Sequence, residues 1–154
     1  LIVSHMFVFY FGIMADLTPP VALAAFAAAP IARASGMAIG FQALRIAAAG
    51  FVTPYMAVYS PALMLQPKGY EPGSFAFAVA VAYVVVKATL AMGLFGIGAI
   101  GFFRARLALW ERVLAIVAAG ALILALPLTD EIGFALAALF FALHWMRTRA
   151  PAPA

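Results

Sequence analysis

The stretch that decides the fold is Gly12-Ile-Met-Ala-Asp-Leu-Thr-Pro-Pro-Val21, a polar, proline-containing interruption between two apolar runs. Each run, Met6–Ile13 or Val21–Ile31, is too short to cross a bilayer, which takes about 20 helical residues. Together they are long enough. Proline lacks an amide hydrogen and its ring clashes with the preceding turn, so two in a row break a helix. We therefore predict a broken transmembrane helix in which Leu17 and Thr18 leave helical geometry.

Such a break has functional meaning inside a membrane. Irregular backbone is tolerated at membrane depth only where it lines a cavity or is buried in protein. In secondary transporters, the ends of half-helices hold substrate and coupling ions near the midplane. The break is therefore the part of the sequence that points to a function.

The composition sets the class of protein. The 154 residues are 68% hydrophobic and 9% charged, with a mean hydropathy of +1.15, whereas soluble domains are about 25% charged. We predict an all-α integral membrane protein, a polytopic helical bundle with about five membrane segments. The net charge of +4 does not indicate nucleic-acid binding, because the basic residues flank apolar segments as orientation signals do.

The alternation of apolar and polar stretches predicts the five segments. They are Leu1–Ala34, Met37–Leu65, Phe75–Phe103, Val113–Leu128 and Ile132–Met146, with a tight acidic turn at Thr129–Glu131. The chain divides accordingly into the end of a transport domain (1–65), an external loop (66–74), additional C-terminal transmembrane helices (75–149) and a disordered tail (150–154).

The charges predict one orientation. With Arg33 in the cytoplasm, the arginines between segments three and four and those at the end of segment five also fall inside, as the positive-inside rule requires. The C-terminus is then cytoplasmic. Segments four and five (113–146) are short, and we leave open whether they cross fully or form a hairpin. The chain starts on an apolar run without Met, so we expect a portion of a longer polypeptide whose N-terminal part is missing.

The sequence offers little for an enzyme. It contains no cysteine, and His5 and His144 belong to no metal-binding or catalytic motif. We expect no enzyme, no transition-metal site and no cofactor beyond a coupling ion. A membrane-embedded enzyme would need a paired acid and base, which the sequence does not reveal.

Two side chains in the break are candidates for an ion site. Asp16 is an ionisable group within the first span, and such groups are a functional hypothesis by default. It can coordinate a cation, cap the half-helix that begins near Pro19, or face water. Thr18 is the better ligand, because its hydroxyl and the carbonyls before the prolines can share a pocket. Neutral oxygens of this kind suit sodium, by analogy with other hard cations.

Two further charges lie inside predicted spans. Arg45 is close enough to the cytoplasmic end to extend its side chain toward water. Lys87 lies nearer the middle of its segment, where we expect it to pair with a carbonyl or an acid on a neighbouring helix, to face a polar interface, or to take part in transport.

The residues Ser4–Ala32, with the Thr-Pro-Pro sequence at their centre, resemble the region near the end of the large membrane subunit of TRAP transporters, the tripartite ATP-independent periplasmic solute transporters. Fused permeases, which join the small and large subunits, are the most similar type. Ile39–Arg45 and Gly50–Met64 are similar to the last helix of that domain. Many members have glycine where this chain has Ala22.

The resemblance implies a sodium-coupled, elevator-type symporter in the bacterial inner membrane. It would import a small, carboxylate-bearing solute delivered by a periplasmic binding protein, together with the upstream permease or a small membrane subunit. Carried onto this chain, Gly12–Pro20, with its break at Pro19 and Pro20, would be an unwound region that contributes part of one sodium site. Its candidate ligands are Gly12, Met14, Asp16 and Thr18. The alternative is a membrane scaffold or interaction module that binds neither solute nor ion.

Overall fold

The chain folds as a helical bundle in a computed structural model that describes residues 2–65, 69, 71–124 and 126–149. The helices are α1 (Ile2–Met14), α2 (Leu23–Ala32), α3 (Gly36–Ala47), α4 (Thr53–Tyr59), α5 (Phe75–Ile100), α6 (Leu109–Ile123) and α7 (Pro127–Arg149). Short 3-10 turns occupy Ala15–Leu17, Ala48–Val52 and Pro61–Met64. In the described ranges the structure contains no strand, so the all-α prediction is confirmed there.

Three helical stretches are long and apolar enough to cross a membrane, judged by length and composition. They are Gly36–Tyr59, Phe75–Ile100 and Leu128–Arg149. The first combines α3, a 3-10 turn and α4 into one continuous rod. These features define a helical membrane protein. The total of five membrane segments stays a prediction, because α1 and α2 are separate short helices and α6 has only 15 residues.

Helices α5, α6 and α7 form a tight three-helix bundle built on small residues. Its buried core consists of Ala88, Ala91, Leu94, Ala115, Ala118, Ala119, Leu122, Ala137 and Phe140. A methyl group on Gly98 would lie 2.7 Å from the Ile116 side chain, and one on Gly133 would lie 2.7 Å from Leu122. Helices without water between them associate through such close backbone approach.

The α3–α4 rod runs along α5 and joins the first part of the chain to the bundle. The Arg45 guanidinium donates to the carbonyls of Ala99 and Ile100, each at 3.2 Å. The Thr53 hydroxyl lies 3.1 Å from the sulfur of Met92. Met56 is 2% exposed and belongs to the bundle core.

Two predicted boundaries in the second half are wrong. Helix α6 begins at Leu109 rather than Val113, because the Glu111 carboxylate accepts the Ala108 amide at 2.7 Å and starts the helix earlier. The residues Thr129–Glu131 form no turn and lie near the start of α7, with Asp130 in its first helical turn. Acidic residues are stabilised there by the positive end of the helix dipole, and a proline is favoured at the first helical position.

Other boundaries differ by a few residues. Helix α5 ends at Ile100 instead of Phe103, because Gly101 takes a left-handed conformation with φ of 78° and ends the helix. Helix α7 continues to Arg149, past the predicted Met146. The tail 150–154 and positions 66–68 and 70 of the predicted external loop lie outside the described residues.

Candidate functional site

The predicted break in the first membrane segment is confirmed. Helix α1 ends at Met14, a 3-10 turn follows, and Thr18 is extended with φ of −97° and ψ of 119°. The Pro19–Pro20 peptide bond is cis, and Ala22 has a left-handed backbone with φ of 37°. Helix α2 therefore starts at Leu23 rather than near Pro19.

The Thr18 hydroxyl holds the break in shape. Its Oγ1 donates to the Met14 carbonyl at 2.7 Å, while the Thr18 amide donates to the Ala15 carbonyl at 3.1 Å. A hydroxyl has one hydrogen to donate and two lone pairs, so Oγ1 keeps acceptor capacity. Two of the proposed oxygen ligands, on Thr18 and Met14, are thus neighbours.

The other two candidate ligands are exposed. Gly12 lies in α1 with open space where a side chain would be, and the Asp16 side chain lies on the surface of the 3-10 turn. Within the described residues the Asp16 carboxylate has no hydrogen bond or ion pair. Asp16 does not cap α2, whose N-cap is Ala22 and carries no side-chain cap bond. The cap interpretation is therefore wrong, while ion binding by Asp16 stays a prediction.

The break is seated on α3 through a glycine. A methyl group on Gly40 would lie 3.0 Å from Cγ of Pro19 and 3.4 Å from Cβ of Ala22. Ala22 is fully buried at this contact. The side chain of Met14, also buried, reaches toward Gly50 in the second 3-10 turn. Two irregular backbone segments of the first half of the chain are thus close neighbours.

An open cavity of about 330 Å³ borders the break. Its lining consists of Phe11, Ala15, Thr18, Pro19, Pro20, Val21 and Phe51. The only side-chain oxygen in this lining belongs to Thr18. The cavity is thus apolar with one hydroxyl at its wall, and within the described residues no group of three His, Cys, Asp or Glu side chains is placed to hold a metal ion.

Lys87 belongs to a separate polar cluster. Its Nζ atom lies 3.0 Å from each carboxylate oxygen of Asp130, in the first turn of α7. The Tyr83 hydroxyl donates to the same carboxylate at 2.9 Å. The Lys87 side chain is 3% exposed, so it is paired with an acid on a neighbouring helix, one of the partners that the sequence left open.

Arg45 reaches the end of α5 together with a second arginine. Arg112, on α6, donates from Nε to the Gly98 carbonyl at 2.9 Å and from Nη2 to the Ala99 carbonyl at 3.1 Å. The last carbonyls of a helix lack partners within the helix and carry partial negative charge. Both arginines therefore neutralise the C-terminus of α5.

The sequence did not reveal a buried cluster around Glu111. This carboxylate is fully buried and contacts His144 at 3.1 Å and Arg147 at 2.9 Å. His144 is 1% exposed and stacks on Phe140 at 5.9 Å between ring centroids. The two residues form an acid and base pair, but neither is open to solvent. Their separation of 33 positions left no local motif to find.

Taken together, the fold and the break define a helical membrane protein with a broken helix of the kind that transporters use. Residues 1–68 match the family model of the Tripartite ATP-independent periplasmic transporter, DctM component. The predicted resemblance to the large membrane subunit of these transporters is thus confirmed over this range, which includes the break and the α3–α4 rod. No curated protein and no solved structure matches the chain significantly.

Proposed function

We propose that this chain is the C-terminal part of a TRAP-type secondary transporter permease in the bacterial inner membrane. The permease couples sodium entry to uptake of a small, carboxylate-bearing solute by an elevator mechanism. A periplasmic binding protein delivers the solute, and the upstream part of the permease or a small membrane subunit completes the transport machinery. The arginines in the connector after α5 and in the last turn of α7 support an orientation with the C-terminus in the cytoplasm.

The observation that carries this proposal is the break between Met14 and Leu23, which lies inside the range that matches the DctM family. The Thr18 hydroxyl and the Met14 carbonyl lie 2.7 Å apart, and both are oxygen donors of the kind that hard cations prefer. Asp16, exposed and unpaired within the described residues, would supply negative charge next to them. Gly12 would contribute backbone.

The test is sodium-driven uptake by the full-length permease in proteoliposomes. Thr18→Ala, Asp16→Asn and Pro19→Ala are compared with the parent over a range of sodium concentrations. A hydrogen bond or contact to a charged group contributes about 1.5–3 kcal/mol, so Thr18→Ala should raise the half-saturating sodium concentration at least about tenfold. Varying the solute among carboxylates and neutral analogues tests the substrate class.

Thr89→Ala is the matched control. The Thr89 hydroxyl donates to the Val85 carbonyl at 2.8 Å, the same local bond that Thr18 makes, but on α5 and away from the break. Its loss should leave the sodium dependence unchanged. Unchanged uptake and sodium dependence in all three break variants, at equal expression, would disprove the site.

A second candidate function applies to residues 75–149, which can act as a scaffold without binding solute or ion. The observation that favours it is the contact of Arg45 with the end of α5, which fixes the α3–α4 rod to the bundle. Deleting 75–149 from the full permease should then reduce membrane insertion and stability much more than sodium affinity. A selective loss of sodium affinity would argue for a direct role in transport.

A further inference from the structure

Two arginines share the ring of Trp145 at one end of the bundle. The Arg104 guanidinium carbon lies 4.5 Å from the ring centroid, and that of Arg149 lies 4.4 Å from it. Arg104 comes from the α5–α6 connector (101–108) and Arg149 from the last turn of α7. Stacking on an aromatic ring occupies the face of a guanidinium and leaves its N–H groups available as donors.

No acid in the described part of the chain neutralises this pair. Within the described residues neither Arg104 nor Arg149 has an ion pair or a hydrogen bond. The acid at this end of the bundle is Glu111, which is fully buried and already bound by Arg147 and His144. Two like charges on one ring repel each other, so an anion beside them would be attracted.

The neighbouring contacts fix the connector that carries Arg104 against α7, which carries Arg149. Arg147 donates from Nη2 to the carbonyl of Arg106, which ties the connector to α7. The Leu107 amide donates to the Gly101 carbonyl at 3.0 Å and closes the connector on itself. The Phe103 ring lies 5.7 Å from His144. The backbone positions of both arginines are therefore fixed by contacts within the bundle.

The surroundings identify the kind of anion. The site lies at the C-terminal ends of α5 and α7, both long enough to span a membrane, and tryptophan is enriched where such helices meet the headgroup region. Phe102 and Met146 beside it are 53% and 60% exposed. An anionic lipid matches both features of this surface, because its headgroup can bind the arginines and its chains can contact the apolar side chains. Basic pockets between membrane helices bind such headgroups.

We propose that Arg104, Trp145 and Arg149 bind the headgroup phosphate of an anionic phospholipid, with its chains lying against Phe102 and Met146. The proposal requires only that the bundle is embedded in a membrane. It is independent of the sodium site and of the transported solute.

The test measures lipid retained by the purified full chain, using native mass spectrometry after reconstitution in phosphatidylglycerol and phosphatidylcholine mixtures. The double variant Arg104→Gln/Arg149→Gln should lose at least about tenfold in retained phosphatidylglycerol, since two basic contacts are removed. Retention of phosphatidylcholine should not change. Inorganic phosphate at millimolar concentration should not displace the lipid, because it lacks the apolar chains.

Arg33→Gln is the matched control, since Arg33 is an exposed arginine at the α2–α3 junction, away from Trp145. It should retain phosphatidylglycerol as the parent does. If the double variant folds poorly, Arg149→Gln alone, at the helix end, should also lower the retention of phosphatidylglycerol. Equal retention by the arginine variants and the parent would overturn the proposal. An equal loss in Arg33→Gln, or displacement by inorganic phosphate, would do so too.

Discussion

The Nδ1 atom of His144 lies 3.1 Å from Oε1 of Glu111, and this contact joins α7 to α6 where both side chains are buried. Nε2 of the same ring is buried and has no hydrogen-bond partner among the residues that the structure describes. A buried donor without an acceptor costs about 1–3 kcal/mol. The arrangement therefore favours the tautomer with its proton on Nδ1, donated to Glu111. Arg147 and the Ala108 amide complete the shell around the carboxylate.

Glu111→Ala should destabilise the protein by about 3–5 kcal/mol, because removing one partner of a buried pair leaves the others uncompensated. Thermal unfolding in detergent, followed by tryptophan fluorescence, measures the loss. Glu131→Ala is the control, since Glu131 is exposed near the start of α7 and should change stability by about 0.5 kcal/mol or less. Equal shifts in the two variants would contradict a structural role for Glu111.

The ion pair between Lys87 and Asp130 predicts a non-additive double variant. Lys87→Met and Asp130→Leu should each cost about 3–5 kcal/mol, whereas together they should recover most of that loss, because an apolar pair replaces a buried ionic one. Unfolding midpoints of the parent, both single variants and the double variant give the coupling energy. The pair Lys87→Met and Glu131→Leu should be additive. Additivity in both cycles would show that Lys87 and Asp130 do not interact.

Gly40 limits how closely the break can lie on α3. Gly40→Ala places a methyl group 3.0 Å from Pro19 and should cost about 1–3 kcal/mol by overpacking. Gly93, in α5, has open space at the same position, so Gly93→Ala should be neutral or stabilising by up to about 1 kcal/mol. Thermal unfolding of the two variants separates the cases, and a similar gain in both would mean that Pro19 is not seated on Gly40.

Ala22 should tolerate substitution by glycine better than Ala25 does. Ala22 and Ala25 are both buried, but only Ala22 has a positive φ, which costs a residue with a side chain about 1–2 kcal/mol. Ala25→Gly should lose stability through helix propensity and a lost methyl contact. The stability loss in Ala22→Gly should be smaller than that in Ala25→Gly by at least about 1 kcal/mol. Equal losses would contradict the left-handed backbone at Ala22.

The sequence predicted the elements that depend on local chemistry. Two adjacent prolines break a helix in any context, so the interruption between Met14 and Leu23 could be located without a structure. The start of α2 could not, because two residues, Val21 and Ala22, separate Pro20 from the helix, and Ala22 has a left-handed backbone that its side chain does not predict.

Features that depend on pairing between helices were beyond the sequence. Glu111 and His144 meet because α6 and α7 pack antiparallel in one particular register, and a shift of a single turn would separate them. The same register turns Asp130 toward Lys87, although Thr129–Glu131 resembles a loop by composition. Charged residues at the start of a helix and charged residues in a connecting loop give the same sequence pattern until the first residue of the helix is known.

The meeting of Arg45 and Arg112 at the end of α5 has an evolutionary consequence. Both guanidiniums recognise main-chain carbonyls, which every amino acid possesses. The acceptor helix can therefore exchange nearly all its side chains at this junction without losing the attachment. A join of this kind tolerates substitution along α5, because the two arginines need only its main chain.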